Sequence, residues 1–143
     1  MTQPVTEPRG EPLPPLLRAR LLHYFPGLDL AAIRLHNGVP RYVRGRPRGY
    51  ADRYRVYVYL ASGWQDEADP ELLALLAHEL VHVQQYRELG TWTFRWAYLQ
   101  EYLAGRLRGL GHDAAYRNIS FERAARVMEE RVRRDFTRRR SAA

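Results

Sequence analysis

The chain has 143 residues, 45% hydrophobic and 27% charged, with a formal net charge of +7. That length supports one domain with a core of its own. All 23 basic residues are arginine and cysteine is absent, which excludes catalytic lysines, disulfides, iron–sulfur clusters, thiolate zinc sites and cysteine nucleophiles.

Residues 1–15 hold five of the nine prolines and no apolar stretch. They predict a flexible leader rather than a secretory signal. The expected location is therefore cytoplasmic, with leaderless export as the other route. No apolar run is long enough to span a bilayer. Residues 16–137 are expected to form a single domain and 138–143 a disordered arginine-rich tail.

Leu16, Leu17, Leu21, Leu22 and Phe25 recur at helical spacing and predict a helix from about Pro14 to Tyr24, stopped by Pro26-Gly27. Segments 30–36 and 39–44 flank Asn37-Gly38, a hairpin signal. Residues 44–52, rich in Arg, Gly and Pro, predict an exposed loop. Tyr54 to Leu60 alternates as a half-buried strand. Asp69-Pro70-Glu71 is a helix start, and the central helix is expected to end near Leu89 at Gly90. A helix over 91–107 carries Trp92, Trp96, Leu99, Leu103 and Leu107 as its expected core stripe. A last helix from about Ser120 is expected to bury Phe121, Ala125, Met128, Val132 and Phe136. The predicted fold class is α+β: a small antiparallel sheet packed on an active-site helix, with further C-terminal helices.

The central helix contains His78-Glu79-Leu80-Val81-His82, a His-Glu-x-x-His signature. Histidines four apart stack on one helical face and can approach one metal ion together. Glu79, offset by about 100°, flanks that ion and is placed to act as general base toward a metal-activated water. Two histidines and a glutamate on a buried helix are costly without a partner. A catalytic zinc site needs a third protein ligand. The candidates are Glu101 on the following helix, Glu122 at the start of the last helix, and His112 between them; Glu88 fits poorly, because Gln85 replaces a required glycine.

The segment Leu76 to Gln85 resembles the active-helix motif of a family of zinc metallopeptidases associated with extracellular contractile injection systems. Phe25-Pro26-Gly27-Leu28-Asp29 and Ile33-Arg34-Leu35-His36 are similar to the N-terminal segment of that family. Ala115 to Ala125 is similar to the tail motif of small His-Glu-x-x-His proteins, in which Glu-x-x-Ala supplies the third ligand. The resemblance implies a zincin-like fold of gluzincin type, zinc held by His78, His82 and Glu122, and Glu101 as the alternative third ligand. Arg126 and Ala124 stand where such proteins often carry acids that support the site. Tyr116 and His112 are candidate oxyanion or substrate contacts.

The expected function is zinc-dependent hydrolysis of peptide bonds in a polypeptide substrate, with strand 54–60 as the candidate substrate-binding edge. A catalytically silent adaptor or cargo protein of an injection system is the other class. Six arginines between Arg41 and Arg55 and eight after Glu122 raise nucleic-acid binding, but no recognition motif accompanies them and a solvated surface is the preferred reading.

Overall fold

The computed structural model describes residues 10–43, 47–59 and 69–142. In chain order these form strand β1 (Glu11–Pro12), helix α1 (Pro15–Leu21), strands β2 (Arg34–Asn37), β3 (Gly49–Ala51) and β4 (Arg55–Val58), and helices α2 (Pro70–Leu89), α3 (Thr91–Leu107), α4 (His112–Arg117) and α5 (Ser120–Ala142). The class is α+β, as expected. α2 begins and ends where the sequence places it: the Asp69 carboxylate accepts from Glu71 N at 3.0 Å, and Gly90 closes the helix at φ +81°.

The sheet is mixed rather than antiparallel. Its order is β1-β2-β4-β3, with β2 and β4 parallel and the outer pairs antiparallel. No hairpin forms at Asn37-Gly38. Gly38 adopts φ +91° and its N–H donates to Val58 O at 2.7 Å, so it extends the parallel ladder instead. Glycine reaches that φ at little cost, and Pro40 has no N–H with which to open a return strand. The hairpin lies farther on, between β3 and β4. There Asp52 Oδ1 accepts from Tyr54 N at 2.9 Å and Arg55 N at 2.8 Å, a turn that aspartate supports through its own side chain. β3 therefore sits inside the segment expected to be a loop.

In β4, Val56 and Val58 are fully buried, in keeping with the alternation; Leu60 lies outside the described residues. Tyr57 on the opposite face is buried too, stacked on His36 with ring centroids 4.7 Å apart and against Tyr50 at 5.9 Å. Flanked by β2 and β3, β4 is an internal strand and not the expected edge. The edge beside α2 is β3.

Leu13, Leu17 and Leu21 join Phe25, Ile33, Leu35, Val56, Leu76, Leu80, Ala125 and Val132 in one core between sheet, α2 and α5. Leu13 and β1 fall within the stretch expected to be a leader, where Glu11 pairs opposite Leu35; residues 1–9 lie outside the described residues. At the other end α5 continues to Ala142, beyond the expected limit at 137.

The outcome on α3 reverses the expectation. Trp92 is 79% exposed and Leu107 89%, and Trp96, Leu99 and Leu103 are exposed with them. The buried side is Phe94 and Gly105, with Tyr98, Glu101 and Tyr102 partly covered. Both sets repeat with the helical period about half a turn apart, so periodicity does not select between them. Packing does: the Phe94 ring meets Tyr86 at 4.3 Å and Phe121 at 4.9 Å. A Cβ at Gly105 would come within 3.2 Å of Ala115 Cβ, so glycine is what lets α4 close on α3.

Candidate metal centre

His78 and His82 occupy successive turns of α2, with Nε2 atoms 3.3 Å apart. Glu122, in the first turn of α5, places Oε2 3.2 Å from His78 Nε2 and Oε1 3.2 Å from His82 Nε2. All three residues are buried, and one donor atom from each lies within 4.8 Å of the others. Together they could hold a metal ion.

The surrounding hydrogen bonds test that fit. His82 Nδ1 lies 2.8 Å from Gln85 Oε1, and the Gln85 amide nitrogen donates to Phe121 O at 3.1 Å. That second bond fixes the amide orientation, so His82 Nδ1 is the donor and its Nε2 faces the cluster. His78 Nδ1 donates to Glu129 Oε2 at 2.9 Å, which turns its Nε2 inward likewise. Glu122 Oε2 is buried and, despite its closeness to His78, has no partner in hydrogen-bonding geometry. Two imidazole nitrogens and a carboxylate thus converge in a buried space, a set that suits zinc or a similar divalent ion.

Burial pushes Glu122 toward a higher pKa, but the close imidazoles of His78 and His82 prevail and hold it well below the usual carboxylate range. Burial works downward on His82, and Glu122 more than offsets it, so the net shift is upward. Glu129 is also depressed: burial opposes this, and His78 and Arg133 outweigh it. Glu79 moves the other way. Burial raises it to about 6 against the pull of His82 and His78.

Glu79 borders β3. A Cβ at Gly49 would lie 2.6 Å from Glu79 Oε1, so the absence of a side chain at 49 makes room for the carboxylate. Tyr98 OH donates to Glu122 Oε1 at 3.0 Å. Tyr116 lines the same cavity, and burial and Glu122 both raise its phenol. His112 opens α4 and pairs with Tyr102 OH at 2.8 Å, on the wall of a second cavity that His78 also lines. Glu101 serves another purpose, accepting from Ser120 N at 3.0 Å and Ser120 Oγ at 2.7 Å. It anchors the start of α5 and with it Glu122.

Glu129 and Gln85 were not singled out from the sequence. The signal for Glu129 was its spacing: seven residues after Glu122, two turns along the same face. It does the work expected of an acid at 124 or 126. Arg133 holds Glu129 at 2.9 Å while also bonding Glu71 at 2.8 Å and Glu130, and Arg48 adds a contact to Glu129 at 3.2 Å. Arg133 of the late cluster thereby ties α5 to α2 through Glu71.

Two cavities meet over the cluster. One, of about 310 Å³, runs toward Tyr50, Tyr86 and Phe94. The other, of about 980 Å³, runs toward Arg117, Arg126 and Glu129. They share Gly49, His78, Glu79, Tyr98, Tyr116 and Glu122, so a groove crosses the site beside β3.

A two-histidine, one-glutamate cluster between packed helices beside a sheet edge defines an α+β domain with a candidate metal centre. Residues 12–90, more than half the chain, match the family described as the eCIS core domain, and the chain belongs to that family. Membership associates it with extracellular contractile injection systems. No curated protein and no solved structure matches the chain. The matched span carries His78, Glu79 and His82 and ends at Gly90; Glu122 and Glu129 come from beyond it. Among the described residues, no helix is long and apolar enough to cross a membrane.

Proposed function

We propose that the chain is a zincin-like zinc metallopeptidase of gluzincin type acting on an extended polypeptide. One observation carries this reading: His78, His82 and Glu122 converge in a buried cluster, with Glu79 beside them at the floor of an open groove. His78, His82 and Glu122 would hold zinc. When bound, zinc supplies Lewis acidity toward a carbonyl and makes water a nucleophile near neutral pH.

The residues of the chain divide the remaining tasks. β3 pairs only with β4 among the described strands, so its outer edge is free to take an extended peptide by strand addition. Glu79 takes a proton from the attacking water and returns it to the leaving amine; burial raises its carboxyl above the usual range, which suits an acid–base role. Tyr116 stays protonated because burial and Glu122 raise its phenol, and it donates to the developing oxyanion. His112 contacts substrate on the larger cavity's wall. Glu129 and Gln85 orient the two imidazoles.

Membership in the eCIS core family supports a second reading, a metal-binding adaptor or cargo of an injection system without turnover. Metal analysis comes first. The protein purified without chelator is expected to hold one zinc per chain, and His78→Ala and His82→Ala to hold none. Metal-free wild type overturns the site. A peptide-library digest then compares wild type with Glu79→Gln. Cleavage by wild type alone supports the peptidase, and indistinguishable digests leave the adaptor.

A further inference from the structure

The smaller cavity is apolar along most of its length, with walls from Val43, Ala51, Tyr86 and Phe94. The arginine that lines it is Arg95, which follows Phe94 on α3. Arg95 donates to Tyr50 OH at 3.4 Å, rests against the Tyr86 hydroxyl and lies 5.8 Å from the centre of the Trp92 ring. Among the described residues no carboxylate pairs with it. This sets it apart from Arg48 and Arg133, which are both spent on Glu129. The Tyr50 hydroxyl engages one of the guanidinium's five donors, which leaves others for a ligand.

We propose that Arg95 is the specificity determinant of the groove, binding a peptide carboxylate through the apolar cavity that opens on His82. The inference rests on the peptidase reading for its reaction but concerns which peptides the groove holds. Position supports it. His78, His82 and Tyr86 stand at successive turns of α2, so the Tyr86 end of the cavity lies about 6 Å past His82 along the helix. That is the length of about two extended residues. A carboxylate one or two residues from the scissile bond therefore reaches Arg95. Arg95 is exposed to solvent at the cavity mouth, where its planar fork can take a carboxylate in a bidentate pair. The carboxylate is either an acidic side chain or the peptide's own C-terminus, and the test separates these.

The experiment titrates zinc-loaded full-length Glu79→Gln with three synthetic hexapeptides of one backbone sequence, using calorimetry so that no turnover is needed. One carries a glutamate and an amidated C-terminus, one a glutamine and a free C-terminus, and one a glutamine and an amidated C-terminus. At least one of the first two is expected to bind about tenfold or more tighter than the third. Adding Arg95→Gln is expected to remove that difference with zinc content unchanged, and Arg95→Glu to turn the preference toward arginine-bearing peptides. Equal binding of all three, no binding, or a preference that survives Arg95→Gln overturns the proposal. The two readings fail separately. Carboxylate preference in a protein that cleaves nothing leaves the subsite and removes the peptidase, while cleavage without the preference does the reverse.

Discussion

Glu129 Oε2 accepts a hydrogen bond from His78 Nδ1 at 2.9 Å across 51 residues of sequence, joining the middle of α5 to the helix that carries both histidines. Glu129 is itself held by Arg133 and Arg48, so the orientation of one imidazole depends on a chain of charge-assisted bonds. Glu129→Ala is expected to weaken zinc binding about 10–100-fold, measured by competition with a chromogenic chelator. Glu129→Gln, which keeps an acceptor for Nδ1–H, recovers part of the loss. Unchanged affinity in Glu129→Ala removes Glu129 from the site.

Gly49 faces Glu79 so closely that any side chain must displace the carboxylate. Gly49→Ala is expected to keep its zinc and its fold, because the position requires no unusual backbone angle. Its peptide hydrolysis drops by about 100-fold, the scale of an ångström-level misplacement of a catalytic group. Zinc analysis alongside steady-state kinetics checks both halves, and full activity in Gly49→Ala contradicts the placement of Glu79.

The two faces of α3 are separable by stability. Phe94→Ala removes a buried ring that contacts Tyr86 and Phe121 and is expected to destabilise by about 3–5 kcal/mol. Trp96→Gln and Leu103→Gln, on the exposed face, are expected to shift stability by no more than about 0.5 kcal/mol. Urea unfolding followed by far-ultraviolet circular dichroism distinguishes them; equal losses from both faces contradict the observed orientation of the helix.

Tyr24 OH donates to Asp135 Oδ2 at 2.7 Å and links the turn that follows α1 to α5. Burial first, then the Asp135 bond, raise the Tyr24 phenol from 10.0 to about 12. A pKa that is higher in the folded than in the unfolded state adds stability that is complete below pH 10 and is lost as pH climbs through 12. Tyr24→Phe is expected to flatten this alkaline loss in thermal melts between pH 9 and 12, and to remove a late component from the phenolate absorbance titration. An unchanged titration curve would place Tyr24 outside that component.

Much of the helical framework was legible one residue at a time. Asp69, Pro70 and Gly90 carry local backbone chemistry that marks the ends of α2, and the four-residue spacing of His78 and His82 is a property of any helix. The Asn37-Gly38 hairpin and the α3 stripe misled for a common reason. Each is a local pattern with two acceptable tertiary outcomes, and the choice depends on what arrives from elsewhere in the chain. Gly38 found Val58 as an acceptor, and α3 turned the face whose aromatic ring fits between Tyr86 and Phe121.

The sequence by itself determined the chemistry available: with no cysteine and no lysine, a metal centre in this chain draws on imidazole and carboxylate. It also determined the helix that carries both imidazoles. The motif resemblance favoured Glu122 over Glu101, and the tertiary structure brings Glu122, not Glu101, beside the two histidines. Glu101 is taken up by Ser120 at the start of α5, and that anchoring sets Glu122 against the two histidines. The groove was likewise decided by packing, because β3 became the edge beside Glu79 once β4 was enclosed between its neighbours. Side-chain type is written locally, whereas burial, pairing and which strand remains an edge follow from contacts between distant segments.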